Sequence, residues 1–322
     1  MLDNSRTNAD MGLEARDHSQ MNSRYFMAVS VTITLLAGCV SAPQAPTDLL
    51  RIENAITTSP NDARDYRHLV LANGLKVLLI SDSQADKSAA SLSVYRGSFD
   101  DPKARPGLAH FLEHMLFIGT EKYPEPDGYF SFVESNGGSS NAYTAPEVTN
   151  YFFDVKPDAF REGLDRFAHF FIDPLLAPDY VEREKNAVQS EYQLQIKEDG
   201  WRGNAVQKKA MNPAHPLSTF NIGSLETLSG DVHSALVSFF KENYSANQMG
   251  LVVLDREPLD IMQPWVIDLF GQIEDRQLDD ILRETLVFLP EQLPATLRHN
   301  NLKDERELSF AFPIPPLQKL YR

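Results

Sequence analysis

From Pro106 to Phe117 the chain reads PGLAHFLEHMLF, and two stripes run through it at helical spacing. Leu108, Phe111, Leu112 and Met115 form an apolar core face, which predicts a helix over 106–117. His110, Glu113, His114 and Phe117 form the neighbouring stripe at i, i+3, i+4 and i+7. Side chains four residues apart leave one face about a turn apart, so both imidazoles can reach a single metal ion. Glu113 lies on the same side, where a carboxylate can address a water. Neutral imidazole suits Zn²⁺, which lowers the pKa of a bound water to about 7. The string alone leaves two readings open, a metal site and a satisfied surface histidine pair.

A second segment bears on that choice. In Glu184-Lys185-Asn186-Ala187-Val188-Gln189-Ser190-Glu191, positions 184, 187, 188 and 191 share one helical face. Two carboxylates thus flank a partly apolar stripe, and buried there they need a cation or donors as partners. A catalytic zinc site takes three protein ligands plus water, and a carboxylate is a good third. The bland reading of this segment is an exposed acidic turn. His169, inside a predicted helix over 157–172, reads as structural. His215, His233 and His299 lack partners at metal spacing, and Ser139-Ser140 has no triad context.

Around these helices the pattern is α+β. Asn73-Gly74 sits between His68–Leu71 and Leu75–Ile80, a strong hairpin signal. Further strands are predicted over 90–95, 149–155 and 250–254, and helices over 157–172, 179–198, 231–244 and 258–270. Strands and helices mix without regular βαβ alternation, which predicts a mixed sheet packed against helices. Gln272 to Gln292 is acidic and loosely patterned, and Glu307 to Phe312 (ELSFAF) predicts a new strand. The resulting division is a signal region over 1–39, a tether over 40–62, a first domain over 63–275 that carries both candidate site helices, a linker over 276–297 and the start of a second domain over 298–322.

Composition sets outer limits. The 322 residues carry a net charge of -15, which argues against a phosphate-tracking surface and hence against nucleic acid as a partner. The single cysteine, Cys39, excludes an internal disulfide framework. Arg24 precedes an apolar run, Tyr25 to Leu36, that is too short to span a membrane and ends in Leu36-Ala37-Gly38-Cys39. This resembles the lipobox of bacterial lipoproteins, in which the signal is cut before a cysteine that is then acylated. The expectation is export to a bacterial envelope (periplasm) with a lipid anchor on Cys39. Met1 to Gln20 is a poor start for a signal, so Met21 is a competing initiator.

GLAHFLEHMLFIGTEKYP (Gly107 to Pro124) resembles the insulinase/pitrilysin family of zinc metallopeptidases, the inverzincins, whose signature is H-x-x-E-H. GGSSNAYT (Gly137 to Thr144), TNYFFDV (Thr149 to Val155), EREKNAVQSEY (Glu182 to Tyr192) and HPLSTFNIGSLETL (His215 to Leu228) follow in the family's order. The likeness runs from about His68 to Arg322, and FIGTEKYP resembles the long single-chain branch. The resemblance implies one zinc held by His110, His114 and Glu191, with Glu113 as general base and Glu184 as a supporting carboxylate. It also implies that Asn141-Ala142 lies on an edge strand where an extended peptide adds by β-augmentation. Phe111 and Phe117 read as core.

The function so implied is a zinc-dependent endopeptidase acting on peptides or unfolded chains. Long members of the family close two halves around the peptide, and the second half supplies an Arg and a Tyr that no residue here matches. The expectation is therefore a catalytic N-terminal portion whose other half lies in cis or on another chain. The alternative is a non-catalytic peptide-binding or assembly subunit of the same fold, and peptide turnover with and without chelator separates the two. A purely structural zinc site would leave Glu113 idle.

Overall fold

Asn73-Gly74 makes the turn that its sequence predicts. Gly74 takes φ 83°, and the Leu71 amide donates to the Leu75 carbonyl at 3.0 Å. The Asn73 side chain also donates to the Phe270 and Ile273 carbonyls at 2.9 Å, so the turn grips the end of a helix nearly 200 residues away in sequence. In the computed structural model, residues 49–53, 56–281, 283–304 and 306–314 are described. All of them belong to one unit, Ala45–Arg322. The expected signal region, its Cys39 and residues 40–48 and 54–55 of the expected tether lie outside the described residues.

Seven strands form one mixed sheet: β1 (Leu49–Glu53), β2 (Asp65–Leu71), β3 (Lys76–Ser81), β4 (Ser88–Val94), β5 (Ser139–Thr144), β6 (Thr149–Val155) and β7 (Met249–Asp255). Their order is β1-β2-β3-β7-β4-β6-β5. Only β3 and β7 pair in parallel, with Lys76 opposite Gly250 and Ser81 opposite Asp255. Alternate residues of β4 are buried and half-buried along its whole length, as in a sheet with one covered face. Helix α3 (Phe160–Ile172) and helix α7 (Leu259–Phe270) pack on that face. Phe153, Phe160, Phe167, Phe170, Phe171 and Tyr151 fill the layer between, largely edge to face or tilted. The α+β reading holds in full.

Helix α1 (Leu108–Leu116) lies against β5 and β6 and is flanked by α4 (Val181–Gln195) and α6 (Val232–Asn243). It starts at Gly107, which takes φ 93°. Asp101 accepts from the Gly107 and Ala109 amides at 2.7 Å each, satisfying donors that the first turn leaves free. Gly107 stands directly on Gly223, itself at φ 94°. Two helices were not anticipated: α2 (Gly128–Ser135) and α5 (Asp199–Lys209). The predicted helix over 179–198 instead ends at Gln195, and α5 begins after a short break.

Three further readings meet a different structure. Leu49–Glu53, within the expected tether, pairs with β2 as the edge strand β1. The acidic stretch read as a linker over 276–297 has little regular structure but is clipped to the domain. Arg96 donates to the Asp279 carbonyl at 3.0 Å, Arg283 to Asp100 at 2.7 Å, and the Asn212 side chain to the Leu286 carbonyl at 2.9 Å. Beyond it, the Asp199 carboxylate takes the Leu302 and Lys303 amides at 2.7 and 2.9 Å. Among the described residues, 306–314 form no strand, and Leu308, Phe310 and Phe312 stand 76–80% exposed.

The glycine contact at the start of α1 is testable. A Cβ on Gly107 would lie 2.3 Å from the Gly223 Cα, and φ 93° is strained for any L side chain. Gly107→Ala should lose at least about 2 kcal/mol in urea unfolding. Gly200→Ala, in α5, meets nothing within 4 Å and should instead gain up to about 1 kcal/mol.

Candidate metal centre

The helical face of α1 delivers His110 and His114 side by side, with ring centroids 4.8 Å apart and planes at 87°. Helix α4 crosses them and brings Glu191 to both. Its two oxygens stand 3.5 Å from His110 Nε2 and 3.5 Å from His114 Nε2. That spacing is too long for charge-assisted hydrogen bonds, which run about 2.7–2.9 Å. Each gap is wide enough to be bridged by a zinc ion at bond lengths of about 2.0–2.2 Å. The three donor atoms lie within 4.8 Å of one another, and two imidazoles with one carboxylate are a zinc set that leaves a fourth position open.

Each imidazole is fixed from behind. His110 Nδ1 lies 2.7 Å from the Ile222 carbonyl. A carbonyl only accepts, so Nδ1 carries the proton and Nε2 presents its lone pair to the cleft. His114 Nδ1 faces Glu184 Oε2 at 3.4 Å, and Arg183 donates to the other Glu184 oxygen at 2.8 Å. Burial alone would raise the Glu184 carboxyl, but the pull of His114 and Arg183 outweighs it and holds the group below its ordinary range. Burial likewise pulls the His114 imidazole down, yet Glu184, Glu191 and Glu113 together hold it above its ordinary value. Glu113 is buried, and desolvation pushes its carboxyl up against the opposing pull of His110, the Thr144 hydroxyl and His114. Thr144 donates to Glu113 Oε2 at 2.5 Å.

All of the residues singled out from sequence face one cleft of about 450 Å³: His110, Glu113, His114, Glu184, Glu191, Asn141 and Ala142. Strand β5 forms one wall and is the edge of the sheet. The Ala142 amide is taken up by the Asn141 side chain at 2.9 Å rather than by a neighbouring strand. Phe117, read as core, is buried but also lines the cleft with Phe130 and Trp201. Thr144 and the Ile222 carbonyl were missed. Thr144 is the last residue of a motif already quoted, and only its pairing to Glu113 across the fold marks it. The Ile222 contact is made by backbone and leaves no residue-type signal. The bland histidines stay bland: His169 lies 2.8 Å from Asp173 and 3.3 Å from Asp165, and His233 lies 2.9 Å from the Leu176 carbonyl.

Residues 76–214 match the family described as Insulinase (Peptidase family M16). The chain carries a peptidase family M16 domain. It is homologous to insulin-degrading enzyme, being 43% identical to that of Drosophila melanogaster over 287 residues, which is 87% of this chain and 29% of the relative. The human insulin-degrading enzyme is 44% identical over 279 residues, 84% of this chain and 27% of the relative. The crystal structure of pitrilysin aligns with TM-score 0.74 at 40% identity, covering 76% of this chain and 27% of that one. The chain thus spans under a third of the length of these relatives, which are metalloendopeptidases of a zinc-dependent family. The M16 match covers both site helices from the first histidine to Glu191.

The two carboxylates of α4 should separate by experiment. Glu191→Gln should abolish tight zinc uptake, because it removes a direct donor. Glu184→Gln should weaken it by about 10–100-fold, as expected when an imidazole loses the partner on its other nitrogen. Competition with a chromophoric chelator reads both, and the reverse ranking would exchange their roles.

Proposed function

We propose that this domain is the zinc-binding, proton-transferring part of an endopeptidase, with His110, His114 and Glu191 as the ligands. The observation that carries the reading is Glu191 reaching to 3.5 Å of the Nε2 atoms of both histidines, one oxygen to each, with all three residues lining one cleft beside Glu113. Bound zinc supplies Lewis acidity, polarising a peptide carbonyl and lowering the pKa of a water to about 7.

The chain's own residues supply the rest. Glu113 accepts a proton from the attacking water and can return it to the leaving amine. Its burial raises its proton affinity toward the range useful for that exchange, and Thr144 fixes one of its oxygens so that the other is free to face the cleft. Strand β5 offers unpaired backbone along its outer edge, where an extended peptide adds as a further strand. For that the Asn141 side chain must release the Ala142 amide, which places a hydrogen-bond exchange at the point of peptide entry. Phe117, Phe130 and Trp201 give the cleft apolar surface for side chains. Peptides or unfolded segments are the substrates, and a partner module in cis or on another chain supplies the opposing wall.

Glu113→Gln should keep zinc and lose hydrolysis of a quenched peptide by at least about 10²–10⁴-fold, assayed in the longest active form of the protein. Near-normal turnover with zinc bound would assign the proton transfer elsewhere. The reading of Cys39 as a lipid-bearing residue, and with it export and membrane attachment, rests on the Leu36-Ala37-Gly38-Cys39 string. Mass spectrometry of the mature protein should find Cys39 as an acylated N-terminus. An unmodified Cys39 inside a longer chain would remove the anchor.

A further inference from the structure

The last turn of helix α5 carries Lys208, a lysine that is only 7% exposed. Among the described residues its partners are neutral: the ammonium donates to the Thr219 carbonyl at 2.8 Å and meets Asn221 Oδ1 at 3.4 Å. It also stands 6.0 Å from the centre of the Phe220 ring. Desolvation pulls its pKa below the ordinary lysine value. A buried charge without a counter-charge is a poor way to fill space, since an apolar side chain of that length would cover the same surface without the desolvation penalty. What the ammonium does hold is a short stretch of backbone.

That stretch is the one behind His110. Residues 219–223 belong to no helix or strand, so no ladder of backbone hydrogen bonds fixes them. They are clamped from three sides instead. Phe220 packs edge-on against Tyr192 of α4 at 5.6 Å and Trp201 of α5 at 6.0 Å. Gly223 abuts Gly107 at the start of α1. Lys208 gathers the carbonyl of residue 219 and the side chain of residue 221. One residue further on, the Ile222 carbonyl meets His110 Nδ1 at 2.7 Å.

We propose that Lys208 is a positioning residue for the metal centre: by pinning the 219–221 backbone it keeps the Ile222 carbonyl on His110 and so holds that imidazole in the tautomer and orientation a metal needs. The clamp joins α5 to α1 although Lys208 itself lies outside the donor set. This rests on His110, His114 and Glu191 being the metal ligands.

The test compares the full chain with Lys208→Met, and with Lys209→Met as a control on the exposed neighbouring lysine. Zinc affinity is read by chelator competition, the coordination sphere by the visible spectrum of the Co²⁺-loaded protein, and folding by circular dichroism and melting. Lys208→Met should fold, bind zinc about 10–100-fold more weakly and show an altered Co²⁺ spectrum, while Lys209→Met matches the parent. Lys208→Arg, which keeps a cationic donor, should restore part of the affinity. Parent-like affinity and spectrum in Lys208→Met would overturn the proposal, as would equal losses in both lysine variants. If Lys208→Met does not fold, Lys208→Gln, which retains one donor, takes its place. Failure of that variant to fold as well would make Lys208 a support of the whole domain and end the positioning role. A parent chain that takes up no zinc would fail the metal reading itself, before any variant is compared.

Discussion

The metal centre depends on where the outer nitrogen of each imidazole goes. A histidine offers a metal one lone pair, and only when its other nitrogen keeps the proton. Here the Ile222 carbonyl settles that question for His110, and the Glu184 carboxylate stands opposite His114 Nδ1 at 3.4 Å. The two partners come from different places, a loop after α5 and the first turns of α4. The site therefore needs α1, α4 and the 219–223 loop held together, and the sheet beneath serves as their common floor. The glycine pair at 107 and 223 is part of the same requirement, because any side chain at Gly107 would push the loop away from the helix.

Electrostatics adds a second layer. Glu113, Glu184 and Glu191 converge on one cleft in a chain that is already acidic. Two of the three are buried, and among the described residues Arg183 brings a permanent positive charge to Glu184. Such a cluster favours a divalent cation, which answers the convergence of negative charge at its centre. By linkage, a cation that binds only the folded form stabilises it by about 2.7 kcal/mol when present at a hundred times its Kd. A divalent ion bound there would couple the acidic cleft to the stability of the domain.

Much of this was legible in the sequence, and the limits are physical. The apolar period and the His-Glu-His spacing of α1 survive almost unchanged, because a buried amphipathic helix leaves both stripes in its residue types. TNYFFDV is strand β6 as read. Helix α5 escaped because it is amphipathic only weakly, with Asp199 and Lys208 as its buried residues, a pattern that looks like solvated surface. The acidic stretch read as a linker escaped for a related reason. It is held by Arg96, Arg283 and Asn212 acting on carbonyls and one carboxylate, and such contacts follow from tertiary proximity rather than from local period. Glu307 to Phe312 shows the opposite error: alternation supplies a strand's faces but not its neighbours.

The strand order has a consequence for how such a chain reaches this state. The centre of the sheet is β7, inserted between β3 and β4, which lie some 170 residues earlier in the chain. During synthesis β3 and β4 emerge with their inner edges bare, and everything that builds the cleft is made before the strand that joins them. Contacts of such separation form slowly, because a long loop must close before they contribute. Until Asp255 leaves the ribosome, the two halves of the sheet present open edges to each other and to any other chain nearby. The order of synthesis thus builds in an interval during which residues 76–155 are exposed to unwanted pairing.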